Sequence, residues 1–221
     1  MMTQIKICGI AKLEDALAVA EEGVEALGFI FYPHSPRYIS PMEARKIIRK
    51  IPSCVSTIGV FVNSSVDIIK EISQFCEIRF IQLHGNETPE YCQEFSPHKL
   101  IKTVSLNSEE DLEKLSLYSC RAFLADTRTD TLYGGTGKQG NWNLAEKASQ
   151  KYPLILSGGL SPNNIDLALK TVSPMAVDIN SGVEICPGIK DNFKIREIVQ
   201  KVQEYDLGKP VISKHEILSI F

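Results

Sequence analysis

The chain has 221 residues, 43% of them hydrophobic and 23% charged, with a formal net charge of -3 and a pI of about 5.9. These values describe an ordinary globular protein rather than a disordered or membrane one. Lys and Arg are scattered among acids instead of clustered, so no electrostatic footprint for nucleic acid appears. The length suits one (β/α)8 barrel, and on length alone two smaller domains remain open.

In chain order, short apolar runs rich in β-branched residues read as buried parallel strands at 5–8, 26–31, 57–62, 79–83, 100–104, 122–126, 154–157 and 176–180. Amphipathic segments lie between them. Leu13, Ala16, Leu17 and Ala20 fall on one helical face, as do Ala44, Ile47, Ile48 and Ile51, and later Ile195, Ile198, Val199 and Val202. Ser40-Pro41 and Ser161-Pro162 each place a capping hydroxyl before a proline suited to the first helical position. Eight strand–helix units with no obvious linker predict an α/β fold, a (β/α)8 TIM barrel of eight parallel strands. An open doubly wound sheet usually holds only about five to seven. The barrel is expected over residues 1–206. Residues 207–221, which include the break Gly208-Lys209-Pro210, are expected to form a C-terminal tail with no assigned role.

The six cysteines, Cys8, Cys54, Cys76, Cys92, Cys120 and Cys186, form no C-x-x-C pair. Their spacing suits neither a zinc site nor a small disulfide scaffold, and free thiols fit a reducing, cytoplasmic setting. Lys12, Glu14 and Asp15 interrupt the N-terminal segment before a signal-type apolar region could form. No run approaches the length of a membrane span.

In a barrel the active site forms where the strands end, on the loops that lead into the helices. Cys8, His84, Asp126, Ser157 and Asn180 are polar residues at such ends. Ser157-Gly158-Gly159-Leu160 follows the seventh strand and Asn180-Ser181-Gly182-Val183-Glu184 the eighth. Glycines let backbone N–H groups approach an anion, and these two loops are the recurrent phosphate site of the fold. Either turn alone reads equally well as a tight turn; both together favour phosphate. Gly135-Thr136-Gly137-Lys138-Gln139-Gly140 matches G-x-G-x-x-G. It follows no strand directly and has no acid near twenty residues downstream, so a glycine-rich lid is the better reading.

Cys8 reads either as a buried small hydrophobe or as a reactive thiol. Lys6, two residues earlier, points to the same side of its strand and would favour thiolate. Asp178 on the eighth strand is the expected partner of Lys6, because a buried Lys needs one. Asp126 reads as a turn cap or as an acid–base group. Cys8 and Asp126 come from opposite parts of the ring, which suits a base and an acid acting at different atoms of one substrate.

Seven strings together resemble one family from about residue 5 to about residue 202. They are Lys6-Ile7-Cys8-Gly9, Phe31-Tyr32-Pro33-His34-Ser35-Pro36-Arg37-Tyr38, Gly59-Val60-Phe61-Val62-Asn63, Gln82-Leu83-His84-Gly85, Gly134-Gly135-Thr136-Gly137, Ser157-Gly158-Gly159-Leu160 and Ser181-Gly182-Val183-Glu184. In order and spacing they look like phosphoribosylanthranilate isomerase. The resemblance implies an Amadori rearrangement in tryptophan biosynthesis: N-(5-phosphoribosyl)anthranilate becomes 1-(2-carboxyphenylamino)-1-deoxyribulose 5-phosphate. It implies Asp126 as general acid on the ribose ring oxygen and Cys8 as general base at C2′. It places Arg37 on the anthranilate carboxylate and Gly158, Gly159, Ser181 and Gly182 on the phosphate. His84 lines the pocket or is a core histidine satisfied by hydrogen bonds. No metal or organic cofactor is implied. The partner is a small phosphorylated substrate, with no nucleic acid and no membrane, and the chain is a monomer or homodimer.

Gly140 and Asn141 before Trp142 depart from the family pattern, as does Asn180 where a small Ser is commoner. These departures bear on loop closure and affinity, not on reaction class. Two rivals are the related sugar-phosphate isomerase of histidine biosynthesis, which resembles a carboxylate pair where this chain has Cys8, and a catalytically silent phosphate-binding barrel.

Overall fold

A computed structural model describes residues 2–126, 142–209 and 219–221. The glycine-rich stretch at 135–140 and the departures at Gly140 and Asn141 lie outside the described residues. Eight strands close a barrel in sequence order: β1 (Gln4–Cys8), β2 (Ala26–Ile30), β3 (Ser56–Phe61), β4 (Phe80–Leu83), β5 (Leu100–Val104), β6 (Ala122–Asp126), β7 (Leu154–Ser157) and β8 (Ala176–Ile179). Every neighbouring pair is parallel, including β1 with β8. All eight expected strands are present, with ends displaced by one residue at most.

The helices α1 (Leu13–Glu21), α2 (Pro41–Ile48), α3 (Val66–Cys76), α4 (Pro89–Cys92), α5 (Glu109–Lys114), α6 (Trp142–Ser149), α7 (Ile165–Val172) and α8 (Asn192–Leu207) follow the strands in turn. The apolar face expected on α8 is the buried one: Ile195, Ile198, Val199 and Val202. On α1 the face is turned slightly, so that Val19 is buried and Leu17 is only half-buried. Ser40 caps α2 by accepting from the Glu43 N–H, with Pro41 in the first turn, as expected. Ser161-Pro162 does not open α7. The Asn164 side-chain oxygen accepts from Ser161 N–H and forms a separate turn there, and the helix begins at Ile165. An antiparallel hairpin not anticipated from the sequence, β9 (Glu184–Cys186) and β10 (Ile189–Lys190), lies between β8 and α8.

The two-residue period of the strands divides the side chains into layers. Ile5, Ile7, Leu27, Phe29, Leu154, Leu156, Val177 and Ile179 belong to the large cluster between barrel and helices. The alternate positions face the barrel interior. At the lower end these are apolar: Ala26, Ile58, Phe80, Ile101, Ala122, Leu124, Ile155 and Ala176, joined by Ile220 and Phe221 from the chain terminus. Higher up they become Lys6, Gln82 and Asp178, and then Cys8, Ile30 and Val60. Lys6 stands directly opposite Asp178 across the β1–β8 seam. Its ammonium lies 2.8 Å from the carboxylate, so the expected pair is present.

Removing one partner of a buried ion pair strands the other charge and typically costs about 3–5 kcal/mol, whereas replacing both with apolar groups can be neutral. Asp178→Ala is therefore expected to lower unfolding stability by about 3–5 kcal/mol. Lys6→Met combined with Asp178→Leu is expected to recover most of that loss. Denaturant unfolding of the two variants checks both, and equal losses would mean the pair is not what the seam depends on.

Candidate active site

Cys8, Asp126 and Ser157 are the last residues of β1, β6 and β7, and His84 and Asn180 directly follow β4 and β8. The barrel brings these ends together around a mouth of about 810 Å³, part of it open to solvent. Of the site residues expected from the sequence, Cys8, Arg37, His84, Gly158, Gly159 and Ser181 line it, together with Asp178 and Asn180 on the β8 side, whereas Asp126 and Gly182 are not among the lining residues.

Cys8 is almost completely buried, at 4% exposure. Burial pushes its thiol above the ordinary value, and Asp178 pushes the same way; Lys6 and Lys190 oppose them without prevailing. The expectation that Lys6 would favour the thiolate is thus corrected. The ammonium does pull in that direction, but its charge is already matched by Asp178, and a thiolate leaving water outweighs what remains. Burial alone would lower the Lys6 ammonium, yet Asp178, followed by Cys8, holds it above the usual value.

Across the mouth, His84 Nε2 lies 3.4 Å from Asp126 Oδ2. Gln82 Nε2 lies 3.0 Å from His84 Nδ1 and 3.3 Å from the Thr103 hydroxyl. The Gln82 amide and the Thr103 hydroxyl thus engage the imidazole at Nδ1, which turns Nε2 to face the Asp126 carboxylate. His84 is therefore at once a pocket residue and a hydrogen-bonded one, and its neighbours aim it at Asp126. Gln82, Thr103 and His84 stand on adjacent strands or their ends, which is why their side chains meet.

Arg37 is buried at 8% exposure rather than a surface charge. Glu184 takes its fork from one edge: Nε donates to both carboxylate oxygens at 2.9 and 3.0 Å, and Nη2 to one at 2.6 Å. Lys190, brought back to the mouth by the β9–β10 hairpin, donates to Glu184 at 2.9 Å, to Asn180 Oδ1 at 3.2 Å and to the Cys8 carbonyl at 2.5 Å. Burial alone would raise the Glu184 carboxyl, but hydrogen bonds from Arg37 and Lys190 hold it below the usual range. Burial lowers Lys190 despite the Glu184 charge. The network ties the backbone of Cys8 to the side chain of Arg37.

On the far side the loops after β7 and β8 touch. Gly158 and Gly159 adopt left-handed φ angles of 98° and 68°. A Cβ at Gly182 would lie 1.9 Å from the Leu160 carbonyl oxygen, so only glycine lets the β8 loop pack against the β7 loop. Gly182 thus shapes this corner by close packing, while Gly158, Gly159 and Ser181 face the mouth.

Glu184 and Lys190 were not singled out as site residues in the sequence. Glu184 sits inside a recognised string without a role, and Lys190 has no local signature, because only the hairpin returns it to the mouth. Glu184→Gln would leave Arg37 and Lys190 short of one charge. The expected result is weaker substrate binding, with KM raised about tenfold, and a stability loss of about 3 kcal/mol. Steady-state kinetics alongside thermal unfolding measure the two. A change in stability with KM unaltered would remove Glu184 from the binding site.

A family model described as N-(5'phosphoribosyl)anthranilate (PRA) isomerase matches residues 5–201. The chain is 52% identical over 204 residues to N-(5'-phosphoribosyl)anthranilate isomerase of Syntrophus aciditrophicus, covering 92% of this chain and 89% of that one. It superposes on the crystal structure of phosphoribosyl anthranilate isomerase from Thermotoga maritima with a TM-score of 0.86 and 41% identity, over 92% of this chain and all of that one. A second solved structure of the enzyme, in complex with reduced 1-(o-carboxyphenylamino)-1-deoxyribulose 5-phosphate, is 38% identical with a TM-score of 0.82, over 92% of this chain and all of that one. With a family match over most of its length, a relative more than half identical and the same closed barrel, the chain belongs to the N-(5'-phosphoribosyl)anthranilate isomerase family.

Proposed function

We propose that this barrel converts N-(5-phosphoribosyl)anthranilate to 1-(2-carboxyphenylamino)-1-deoxyribulose 5-phosphate, the isomerisation of tryptophan biosynthesis, with Asp126 as general acid and Cys8 as general base. The observation that carries the assignment of roles is the placement of Cys8 and Asp126 at the ends of β1 and β6, Cys8 lining the mouth and Asp126 lying against His84, which lines it too. The Arg37 fork and the glycine turns share that mouth. Asp126, in its protonated form, gives its proton to the ribose ring oxygen as the C1′–O bond breaks. The anthranilate nitrogen supplies the electron pair and becomes an iminium. That cation acidifies the C2′ hydrogen, and Cys8 takes it as thiolate. The electron pair left at C2′ neutralises the iminium and gives an enolamine, which tautomerises to the aminoketose. The formula does not change, so no outside oxidant or reductant is needed.

Arg37 holds the anthranilate carboxylate through the edge of its fork that Glu184 leaves available. The loops bearing Gly158, Gly159, Ser181 and Gly182 hold the phosphate through backbone N–H groups. His84 hydrogen-bonds Asp126 from Nε2 and keeps its carboxyl aimed at the ring oxygen. The relative solved with the reduced aminoketose phosphate supports a phosphorylated partner of this kind. A solved structure of monomers generated from the dimeric enzyme of Thermotoga maritima supports a homodimer as one of the two expected states, the other being the monomer. Free cysteines among the described residues fit a cytoplasmic enzyme, and no described helix is long and apolar enough to cross a membrane.

An acid and a base positioned in this way each contribute about 10²–10⁴-fold. Asp126→Asn is expected to lower kcat by at least about 100-fold with substrate affinity largely kept. A fluorescence assay on freshly generated phosphoribosylanthranilate reads this directly, and a near-normal kcat would remove Asp126 as the acid. Turnover of the histidine-pathway aminoaldose instead would move the assignment to that enzyme.

A base works only when deprotonated, and burial raises the Cys8 thiol. The fraction of active thiolate therefore grows with pH across and beyond the ordinary thiol range. The rate at which a small alkylating reagent modifies Cys8, which reads the thiolate alone, is expected to climb through that range instead of levelling at neutral pH. Cys8→Ser should lower kcat by about 100-fold or more and abolish the modification. A modification rate already level near pH 6 would mean that the thiol is not raised.

A further inference from the structure

The family match ends at residue 201, and the solved relative from Thermotoga maritima is covered completely by 92% of this chain. The C-terminal residues are thus an addition to the shared barrel. Ile220 and Phe221 nonetheless lie inside it. Ile220 is 2% and Phe221 9% exposed, packed into the lower interior against Ala26, Ile58, Phe80, Ala122, Ile155 and Ala176. With Ile101 and Leu124 the barrel contributes eight residues to this cluster, and the three alanines among them leave room for an aromatic ring.

The backbone of the last three residues is read by two side chains from separate strands. Gln4, at the start of β1, accepts from the Ile220 N–H at 2.7 Å and the Phe221 N–H at 3.2 Å, and donates to the Ser219 hydroxyl at 3.0 Å. Arg121, just before β6, donates to the carbonyls of Ile220 at 2.5 Å and Ser219 at 2.7 Å. The Ser219 hydroxyl itself donates to Phe221 O at 2.7 Å. Two apolar side chains in a fitted hole, with every intervening peptide group bonded, are how a protein recognises an extended peptide.

We propose that the lower end of the barrel is a peptide-binding site whose occupant is the chain's own C-terminal Ser219-Ile220-Phe221, a strap that joins β1 to β6 and seals the interior opposite the active site. Occupation by the same chain follows from where the segment departs and returns. The Lys209 ammonium bonds the Thr3 hydroxyl at 2.9 Å, and the strap bonds Gln4, the next residue along β1. Lys209 and the strap thus lie against neighbouring residues of the same chain, which keeps the effective concentration of the strap high.

The strap touches none of the residues at the mouth, so its loss should be read in stability and not in turnover. Phe221→Ala in the full chain, and a chain ending at Lys209, are both expected to melt at least about 5 °C lower than the native protein, from the usual cost of losing a buried aromatic ring. The kcat/KM at 25 °C should stay within about twofold of native. A synthetic peptide of residues 210–221, added at millimolar concentration to the shortened chain, should restore part of the melting temperature, and the same peptide carrying Phe221→Ala should not. If the shortened chain fails to fold, Phe221→Ala in the full chain still reports on the site. Unchanged melting temperatures in both variants overturn the proposal. A native melting temperature that rises with protein concentration, and loses that dependence on truncation, overturns it as well, because the strap would then sit in a second copy.

Discussion

The β1–β8 seam is the constraint from which the rest of the molecule follows. Closing the barrel sets Lys6 against Asp178 with both side chains in the interior. Their Coulomb attraction at 2.8 Å is about 6 kcal/mol at an effective dielectric of about 20. Removing each ion from water costs several kcal/mol. The two nearly cancel, so the pair contributes little net stability. It contributes register instead: a slip by one residue would turn Lys6 outward into the apolar shell under the helices, where no carboxylate waits. With the register set, Cys8 must face the mouth two residues above Lys6, and Asn180 must do so two residues above Asp178.

The same seam governs the electrostatics of the site. A thiol above a lone ammonium would be driven towards thiolate; above a matched pair it is not, and burial leaves Cys8 as a thiol with a raised pKa. Such a group is a stronger base once deprotonated, at the expense of being deprotonated less often. Arg37 shows the complementary arrangement. Its charge is engaged on one edge by Glu184, whose own second contact is Lys190, and Lys190 reaches the carbonyl of Cys8. The side chain assigned to the carboxylate and the backbone of the proposed base are therefore parts of one buried network. A displacement of either is transmitted to the other through hydrogen bonds of 2.5 to 3.0 Å.

The barrel was legible because its evidence is local. Apolar runs of four to six residues alternate with segments of helical period, and both patterns survive in any single stretch of chain. The pairing of Lys6 with Asp178 could be reasoned from the two-residue period once β1 and β8 were taken as neighbours. What escaped the sequence depends on tertiary return. Lys190 acts at the mouth only because a short hairpin folds back, and its flanking residues carry no mark of that. Ser161-Pro162 has the composition of a helix start, but the Asn164 side chain competes for the Ser161 N–H and forms a turn first. The sign of the Cys8 shift could not be read because proximity of Lys6 is visible in the sequence, whereas the depth of burial is not.

The two ends of the interior divide the labour of the fold. The upper end carries Cys8, His84, Asp126, Arg37 and Glu184, charged or polar groups whose burial costs free energy and whose arrangement suits chemistry better than stability. The lower end carries alanine, isoleucine, leucine and phenylalanine, and their burial offsets that cost at about 25 cal/mol for each Å² removed from water. Three of the eight barrel residues in this layer are alanines, which leaves space between the larger side chains. Ile220 and Phe221 fill it from a segment outside the family match, so this chain can add apolar burial without altering a residue near the mouth. In a barrel whose chemistry is confined to one face, stability can be adjusted from the other with little effect on the reaction, and the terminal strap is placed where that separation is greatest.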